Sequence, residues 1–165
     1  MLDKYDLCAQ LRVIEDDAQV ERGRSSMFTR KLVNRTRMPM KHVLVCEDVI
    51  RNQAQIAAHF ETLFAHEGEV QASFVCGAEA AAAVLSSMEV DLILLDHDMP
   101  CGDGPELLKW MKSRRCEVPV ITFSGIPANN DHLIRCGAEH RFEKAEVIRG
   151  DADGLIKELL RISEG

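Results

Sequence analysis

The chain of 165 residues is 46% hydrophobic and 28% charged, with a formal net charge of −7, a balance that suits one globular domain with a core of ordinary size. It has no apolar run long enough to span a bilayer, and Met1-Leu2-Asp3-Lys4-Tyr5-Asp6 lacks the basic and apolar regions of a signal peptide. The six cysteines (Cys8, Cys46, Cys76, Cys101, Cys116, Cys136) form no Cys-x-x-Cys pair and no metal-finger spacing, so they read as reduced thiols of a cytoplasmic protein and not as zinc ligands or disulfides.

Residues 1–41 form a charged N-terminal extension. Residues 1–21 carry six acids and two bases, whereas residues 22–41 carry seven bases and no acid. Leu7, Leu11 and Ile14 have helical spacing, which predicts an amphipathic helix followed by a basic tether that folds back on the acidic remainder. Phe28 is the one aromatic in the basic stretch, too few for a nucleic-acid or membrane surface to be the leading reading. Met38 and Met40 offer alternative starts directly before the first strand.

From His42 onward, strands and helices alternate. His42-Val43-Leu44-Val45-Cys46 reads as a buried strand ending in the adjacent acids Glu47 and Asp48. Residues 50–66 read as a helix, with Ile56, Phe60, Leu63 and Phe64 on its inner face and Gly68 as its stop. Residues 69–75 read as a second strand, and residues 78–88 as an Ala-rich helix. Val90-Asp91-Leu92-Ile93-Leu94-Leu95-Asp96 is a third strand, followed at once by the turn residues of His97-Asp98-Met99-Pro100-Cys101-Gly102-Asp103-Gly104. Pro105 suits the first turn of a helix buried through Leu107, Leu108 and Met111. Val118 to Ser124 is a fourth strand. Residues 129–136 read as a short, stunted helix ended by Gly137, and Arg141-Phe142-Glu143-Lys144 as a fifth strand. Residues 146–150 are predicted to be a loop. Residues 152–162 form the last helix, capped by Asp151 or Asp153, with Leu155, Leu159 and Ile162 inward.

This alternation predicts an α/β fold: a doubly wound, five-stranded parallel sheet with helices on both faces. In such sheets, chemistry gathers at the C-terminal ends of the strands. A lone strand-end Asp is equally well an ordinary solvated carboxylate. Here, however, Glu47, Asp48, Asp96, Ser124 and Lys144 all fall at strand ends, and such a set can hold a divalent cation, accept a phosphoryl group on an Asp and clamp its oxygens. Adjacent acids such as Glu47 and Asp48 sit in water unless a cation compensates them.

These residues carry a resemblance to the response-regulator receiver domain of two-component signalling, over residues 42–165. Glu47-Asp48 match the acid pair. Leu94 to Pro100, then Asp103-Gly104, match the phosphoacceptor strand and its turn. Ser124-Gly125 match the switch hydroxyl and its small neighbour, and Cys136-Gly137-Ala138 with Lys144 match the segment leading to the pocket Lys. The resemblance implies that the strands take the flavodoxin-like order 2-1-3-4-5, that Asp96 is the phosphorylation site and that Mg²⁺ is held by Glu47 (through a water), Asp48, Asp96 and the backbone carbonyl of Asp98. It also implies that Lys144, Ser124 and Gly125 serve the transfer. His97 is expected to be plainly exposed, and the Asp98 side chain to face the phosphoryl site.

The sequence departs from the family pattern at two places. Arg141 stands where the family has an aromatic switch residue three positions before the Lys, giving an output surface, with Ser124, that is cationic at that point. Ala145 replaces a Pro after the Lys, so its peptide bond is expected to be trans.

With only a few residues after the last helix, the sequence predicts a single-domain regulator with no DNA-binding domain and no membrane span, not an enzyme in its own right. Its partners would be a histidine kinase or histidine phosphotransfer protein and a downstream protein that the sequence does not identify; a homodimer stays open. Asn52-Gln53 resembles receivers fused to hybrid kinases and favours a relay role. Two rivals compete: a haloacid-dehalogenase-like phosphatase built on Asp96-x-Asp98, and an unphosphorylated receiver-like binding module.

Overall fold

A computed structural model of the chain describes residues 40–65 and 70–162. The predicted helix and basic tether before residue 40, the Gly68 stop and the first residue of the second strand lie outside the described residues.

Five strands form one sheet: β1 (Lys41–Cys46), β2 (Val70–Val75), β3 (Leu92–Leu95), β4 (Val120–Thr122) and β5 (His140–Arg141). Their order is β2-β1-β3-β4-β5, and every neighbouring pair is parallel. The expected flavodoxin-like order is therefore present. The central strands β1 and β3 are buried on both faces, and so their sequences are continuous apolar runs with no alternation.

The two-residue period of each strand divides the core in two. Val43, Val45, Leu92, Leu94, Ile121 and Phe123 face one side. There they meet Ile56 and Phe60 of α1 (Ile50–Leu63), Val147 of α5 (Lys144–Arg149), and Ile156 and Leu160 of α6 (Asp153–Leu160). Leu44, Cys46, Ile93, Leu95 and Val120 face the other side. They meet Ala78 and Ala81 of α2 (Ala78–Ser87), Leu107, Leu108 and Met111 of α3 (Gly104–Arg114), and Leu133 of α4 (Pro127–Cys136). Helices therefore cover both faces. Among the described residues, no helix is long and apolar enough to cross a membrane. Burial pushes the Cys46 thiol well above its ordinary range.

The start of α3 follows its sequence signals. Asp103 Oδ1 accepts from Glu106 N at 2.9 Å, and Glu106 Oε2 accepts from Asp103 N at 3.2 Å, a reciprocal capping box with Pro105 in the first turn.

Four predicted features need correction. Helix α4 is not stunted: it begins at Pro127, two residues earlier than expected, because Pro suits a first turn here as it does at Pro105. Residues 146–150 are not a loop. Glu146 Oε2 accepts from Glu143 N at 2.6 Å and nucleates α5, and Gly150, at φ +91°, ends it in the left-handed conformation. Strand β5 is only two residues long, so Lys144 is delivered by the first turn of α5 and not by a strand. In α6, Ile156 and Leu160 are the fully buried pair, and Leu155, Leu159 and Ile162 flank them, partly buried. Neither Asp151 nor Asp153 caps that helix. Its N-cap is Ala152, and Asp153 Oδ1 instead meets His59 Nε2 of α1 at 2.7 Å. All described peptide bonds are trans, including that before Ala145.

The inward face of α6 can be measured directly. Ile156→Ala should lower the unfolding free energy by about 2–5 kcal/mol, as expected for a fully buried aliphatic side chain. Leu155→Ala should cost roughly 1 kcal/mol. Urea midpoints at unchanged slope would rank the two, and the reverse ranking would contradict the assigned face.

Candidate functional site

The sheet's hydrogen-bond ladder runs one residue past each strand and fixes the backbone of the site. Glu47 N donates to Val75 O at 2.9 Å, Asp96 N to Cys46 O at 3.0 Å and Phe123 N to Leu95 O at 3.1 Å. Ser124 follows Phe123 directly, and its carbonyl accepts from Lys144 N at 3.3 Å. Glu47, Asp96, Ser124 and Lys144 thus meet along one sheet edge, at the crevice where α/β folds place their ligands.

Helix α3 closes the rear of this edge. Gly104 N donates to His97 O at 2.9 Å, and a Cβ on Gly104 would lie 2.6 Å from Asp96 O. Only glycine lets the helix approach the Asp96 backbone this closely.

Lys144 Nζ stands between two carboxylates, 2.6 Å from Asp96 Oδ2 and 2.8 Å from Glu47 Oε2. Asp96 Oδ1 accepts from His97 N at 2.8 Å. Glu47 Oε1 accepts from Val49 N at 3.0 Å and from Asn52 Nδ2 at 3.1 Å. Glu47 is 0% exposed, yet its Oε2 has no directional hydrogen bond and meets Lys144 only as a charge contact. A carboxylate oxygen from each of Glu47, Asp48 and Asp96 lies within 4.8 Å of the others. Three carboxylates face one ammonium, which leaves an excess of two negative charges. A cluster of three carboxylates with that excess fits a divalent cation that prefers oxygen ligands.

The electrostatics follow from burial. Loss of water pushes the Asp96 carboxyl above the usual range, an effect that the Lys144 hydrogen bond and charge oppose and the Glu47 charge reinforces. Burial alone would lower Lys144, but the Asp96 and Glu47 carboxylates together outweigh it and hold the ammonium above its ordinary value. The Phe123 ring lies 5.5 Å from Nζ and adds a weak cation–π contact. The acid pair therefore does not simply sit in water: Glu47 is buried and compensated by Lys144, and Asp48 is half-buried.

The other predicted residues lie around this core. Ser124 is buried, and its Oγ accepts from Ile126 N at 3.3 Å. A Cβ built on Gly125 would meet nothing within 4 Å, so the space beside Ser124 is open. The Asp98 side chain is exposed, accepting from Asn129 Nδ2 at 2.8 Å and meeting His97 Nδ1 at 2.7 Å; it is not one of the three clustered carboxylates. The expected plain exposure of His97 is incorrect. Its side chain is 14% exposed, because His132 of α4 packs beside it: Nε2 lies 2.9 Å from His132 Nδ1 and the ring centroids are 5.1 Å apart. Arg141 is exposed and ion-paired with Asp131 of α4, so the output face carries a paired charge there and not a bare cation.

Asn130 was not among the sequence candidates. It is 3% exposed and bonded to Thr122, Ser124 and Phe142. Asn130 lies three residues before the fully buried Leu133 on the same helix face, and that spacing was the available signal.

The family model of the response regulator receiver domain matches residues 43–148. Response regulator SaeR of Staphylococcus epidermidis is 28% identical over 107 residues, covering 64% of this chain and 44% of that protein. SaeR of Staphylococcus aureus is 27% identical over 107 residues. The chain thus spans less than half the length of these curated relatives. Among solved structures, the phosphorylated cyanobacterial phytochrome response regulator RcpA is similar at TM-score 0.62 and 20% identity, over 76% of this chain and 97% of that one. The receiver domain of a Pseudomonas aeruginosa sensor histidine kinase, with magnesium coordinated in its active-site cleft, is similar at TM-score 0.58 and 21% identity, over 74% and 98% of the two chains. At these identities the structures speak for the fold alone. With the family model spanning the strands and the pocket, and response regulators among its relatives, this chain belongs to the response regulator receiver domain family of two-component signalling.

Proposed function

We propose that Asp96 accepts a phosphoryl group from a phosphohistidine, carried by a histidine kinase or a histidine phosphotransfer protein, and that the phosphorylated domain signals by protein interaction or by onward relay. The observation that carries this reading is the position of Lys144 Nζ between Asp96 and the buried Glu47, at the C-terminal edge of the parallel sheet. In this reading, an Asp96 oxygen attacks phosphorus while the bond from phosphorus to the donor imidazole nitrogen breaks, and the nitrogen leaves with the electron pair. Lys144 faces the charge on the phosphoryl oxygens, and the Ser124 hydroxyl donates to another of them. The open space at Gly125 gives that group room.

The carboxylates of Glu47, Asp48 and Asp96 are the side chains that would hold Mg²⁺, with the backbone carbonyl of Asp98 as the further ligand that the resemblance adds. Bound there, the ion would offset the phosphoryl charge. The phosphatase alternative needs the Asp98 carboxylate as an acid beside Asp96. That carboxylate is directed to Asn129 and His97 at the surface instead, which favours the receiver reading. We read the chain as a phosphoacceptor and not as an enzyme acting on a separate substrate. The exposed edge of α4 and β5, around Arg141 and Asp131, is where we place contact with a downstream protein.

Incubation with acetyl phosphate and Mg²⁺ should add one phosphoryl group, detected by intact mass, and Asp96→Asn should abolish it. Labelling of that variant at the wild-type level would remove Asp96 as the acceptor. In calorimetric titration with Mg²⁺, Asp48→Ala should weaken binding much more than Asp98→Ala, since only Asp48 offers its side chain to the cluster; equal losses would contradict this ligand set. Lys144→Ala should slow labelling by about 10²-fold, the scale of losing one preorganised charge partner. Arg141→Ala should leave labelling nearly intact, and an equal loss in the two variants would put Arg141 in the pocket.

A further inference from the structure

Asn130 is a buried amide whose hydrogen-bonding capacity is fully used. Its Oδ1 accepts from Thr122 Oγ1 at 2.7 Å and from Ser124 N at 2.8 Å. Its Nδ2 donates to Ser124 O at 3.1 Å and to Phe142 O at 2.8 Å. One side chain on α4 thus grips the residue that ends β4, both backbone groups of Ser124, and the residue after β5. A planar amide with two acceptor and two donor positions satisfies all of them in one geometry.

The segments it grips have little else to hold them. Strand β4 ends at Thr122, and β5 contributes two residues at the edge of the sheet. Beyond them the ladder continues with Phe123 N to Leu95 O at 3.1 Å, just before Ser124, with Phe142 N to Thr122 O at 2.9 Å, and with the longer Lys144 N to Ser124 O at 3.3 Å. Gly125 and Ile126 are exposed. Arg141, in the position where the resemblance expects an aromatic residue, is turned out to Asp131 and does not support Ser124. The carboxylates are better anchored: Glu47 and Asp96 follow the central strands β1 and β3, whose backbones pair on both sides.

We propose that Asn130 is a positioning residue for phosphoryl transfer. It fixes Ser124 directly, and through the carbonyls of Ser124 and Phe142 it sets where Lys144 enters the pocket. This inference rests on the reading of Asp96 as the phosphoacceptor. Asn130 touches neither the phosphoryl group nor the cation ligands. Its effect therefore falls on the rate of transfer and not on cation binding, because a small misplacement of an acting group is enough to slow a preorganised reaction.

The test compares wild type, Asn130→Ala and Asn130→Asp, using the full chain, acetyl phosphate as donor, and rates scaled to the folded fraction measured by circular dichroism. Asp is close to Asn in shape and keeps both Oδ1 contacts. It sets a second oxygen against the carbonyls of Ser124 and Phe142 where two donors stood, which makes it informative if the Ala variant does not fold. Both variants should be labelled about 10- to 100-fold more slowly than wild type, with Mg²⁺ affinity by calorimetry within about twofold of wild type, well inside one decade of binding constant. A purely structural role would lower the folded fraction and leave the scaled rate unchanged. Labelling at the wild-type rate in either folded variant, or a loss of Mg²⁺ affinity in step with the rate, would overturn the inference. Wild-type chain that takes no label at all would instead overturn the reading of Asp96, and this inference with it.

Discussion

The site depends on one ammonium. Glu47 is fully buried and Asp96 nearly so, and neither carboxylate could remain charged in that position without a counter-charge. Lys144 supplies it to both at once, at 2.6 and 2.8 Å. The cost of drying two acids and a base is offset by mutual attraction in a weakly screened setting. Because three carboxylates share one ammonium, the compensation is incomplete. That shortfall leaves a place for further positive charge among the carboxylates of Glu47, Asp48 and Asp96.

Parallel topology makes this convergence possible. Helices separate the four groups in sequence, yet β1, β3 and β4, which lead to Glu47, Asp96 and Ser124, are neighbours, and α5, which opens at Lys144, follows on β5 beside them. The ladder carries them to the same level: each interstrand bond that fixes Asp96 or Phe123 also fixes its neighbour across the sheet. Helix α3 then closes in from behind, as close as the missing side chain of Gly104 allows. Central strands β1 and β3 hold the acids, the short strand β4 leads to the hydroxyl, and the base follows the two-residue edge strand β5.

This division also explains what was legible in the sequence. The central strands are buried on both faces, so their apolar runs stand out, and the acids at their ends could be named by position. The alternation of strands and helices carries the parallel doubly wound class, and the strand order comes with the family resemblance. The edge was harder to read. Strand β5 has too few residues for a period to show, and Lys144, read as a strand end, opens α5. Glu143 falls in the predicted fifth strand and Glu146 in the predicted loop, so the contact of Glu146 Oε2 with Glu143 N that starts α5 is divided between two predicted elements. Pro127 starts α4 two residues before the predicted start at Asn129, and the burial of Asn130 and the contact between His97 and His132 come from tertiary packing that no local pattern carries. In α6, Leu155 and Leu159 lie beside Ile156 and Leu160, and spacing alone does not say which pair points to the centre of the core.

The same contrast between centre and edge bears on how α4 is tied to the pocket. Arg141 and Asp131 join α4 to β5 at the surface, with side chains 62% and 45% exposed. An ion pair that wet is screened by salt and contributes at most about 1 kcal/mol. The bonds of Asn130 join the same two elements beneath the surface. Each contributes about 0.5–1.5 kcal/mol net, and breaking one leaves a buried polar group unmatched, which costs more than the bond supplied. Helix α4 therefore has a soft tie to β5 through Arg141 and a stiff one through Asn130. The stiff tie is the one bonded to Ser124 and to the segment that delivers Lys144. A displacement of Ser124 consequently strains α4 through Asn130 well before Arg141 is affected, even though Arg141 occupies the position where the resemblance led one to look for the coupling.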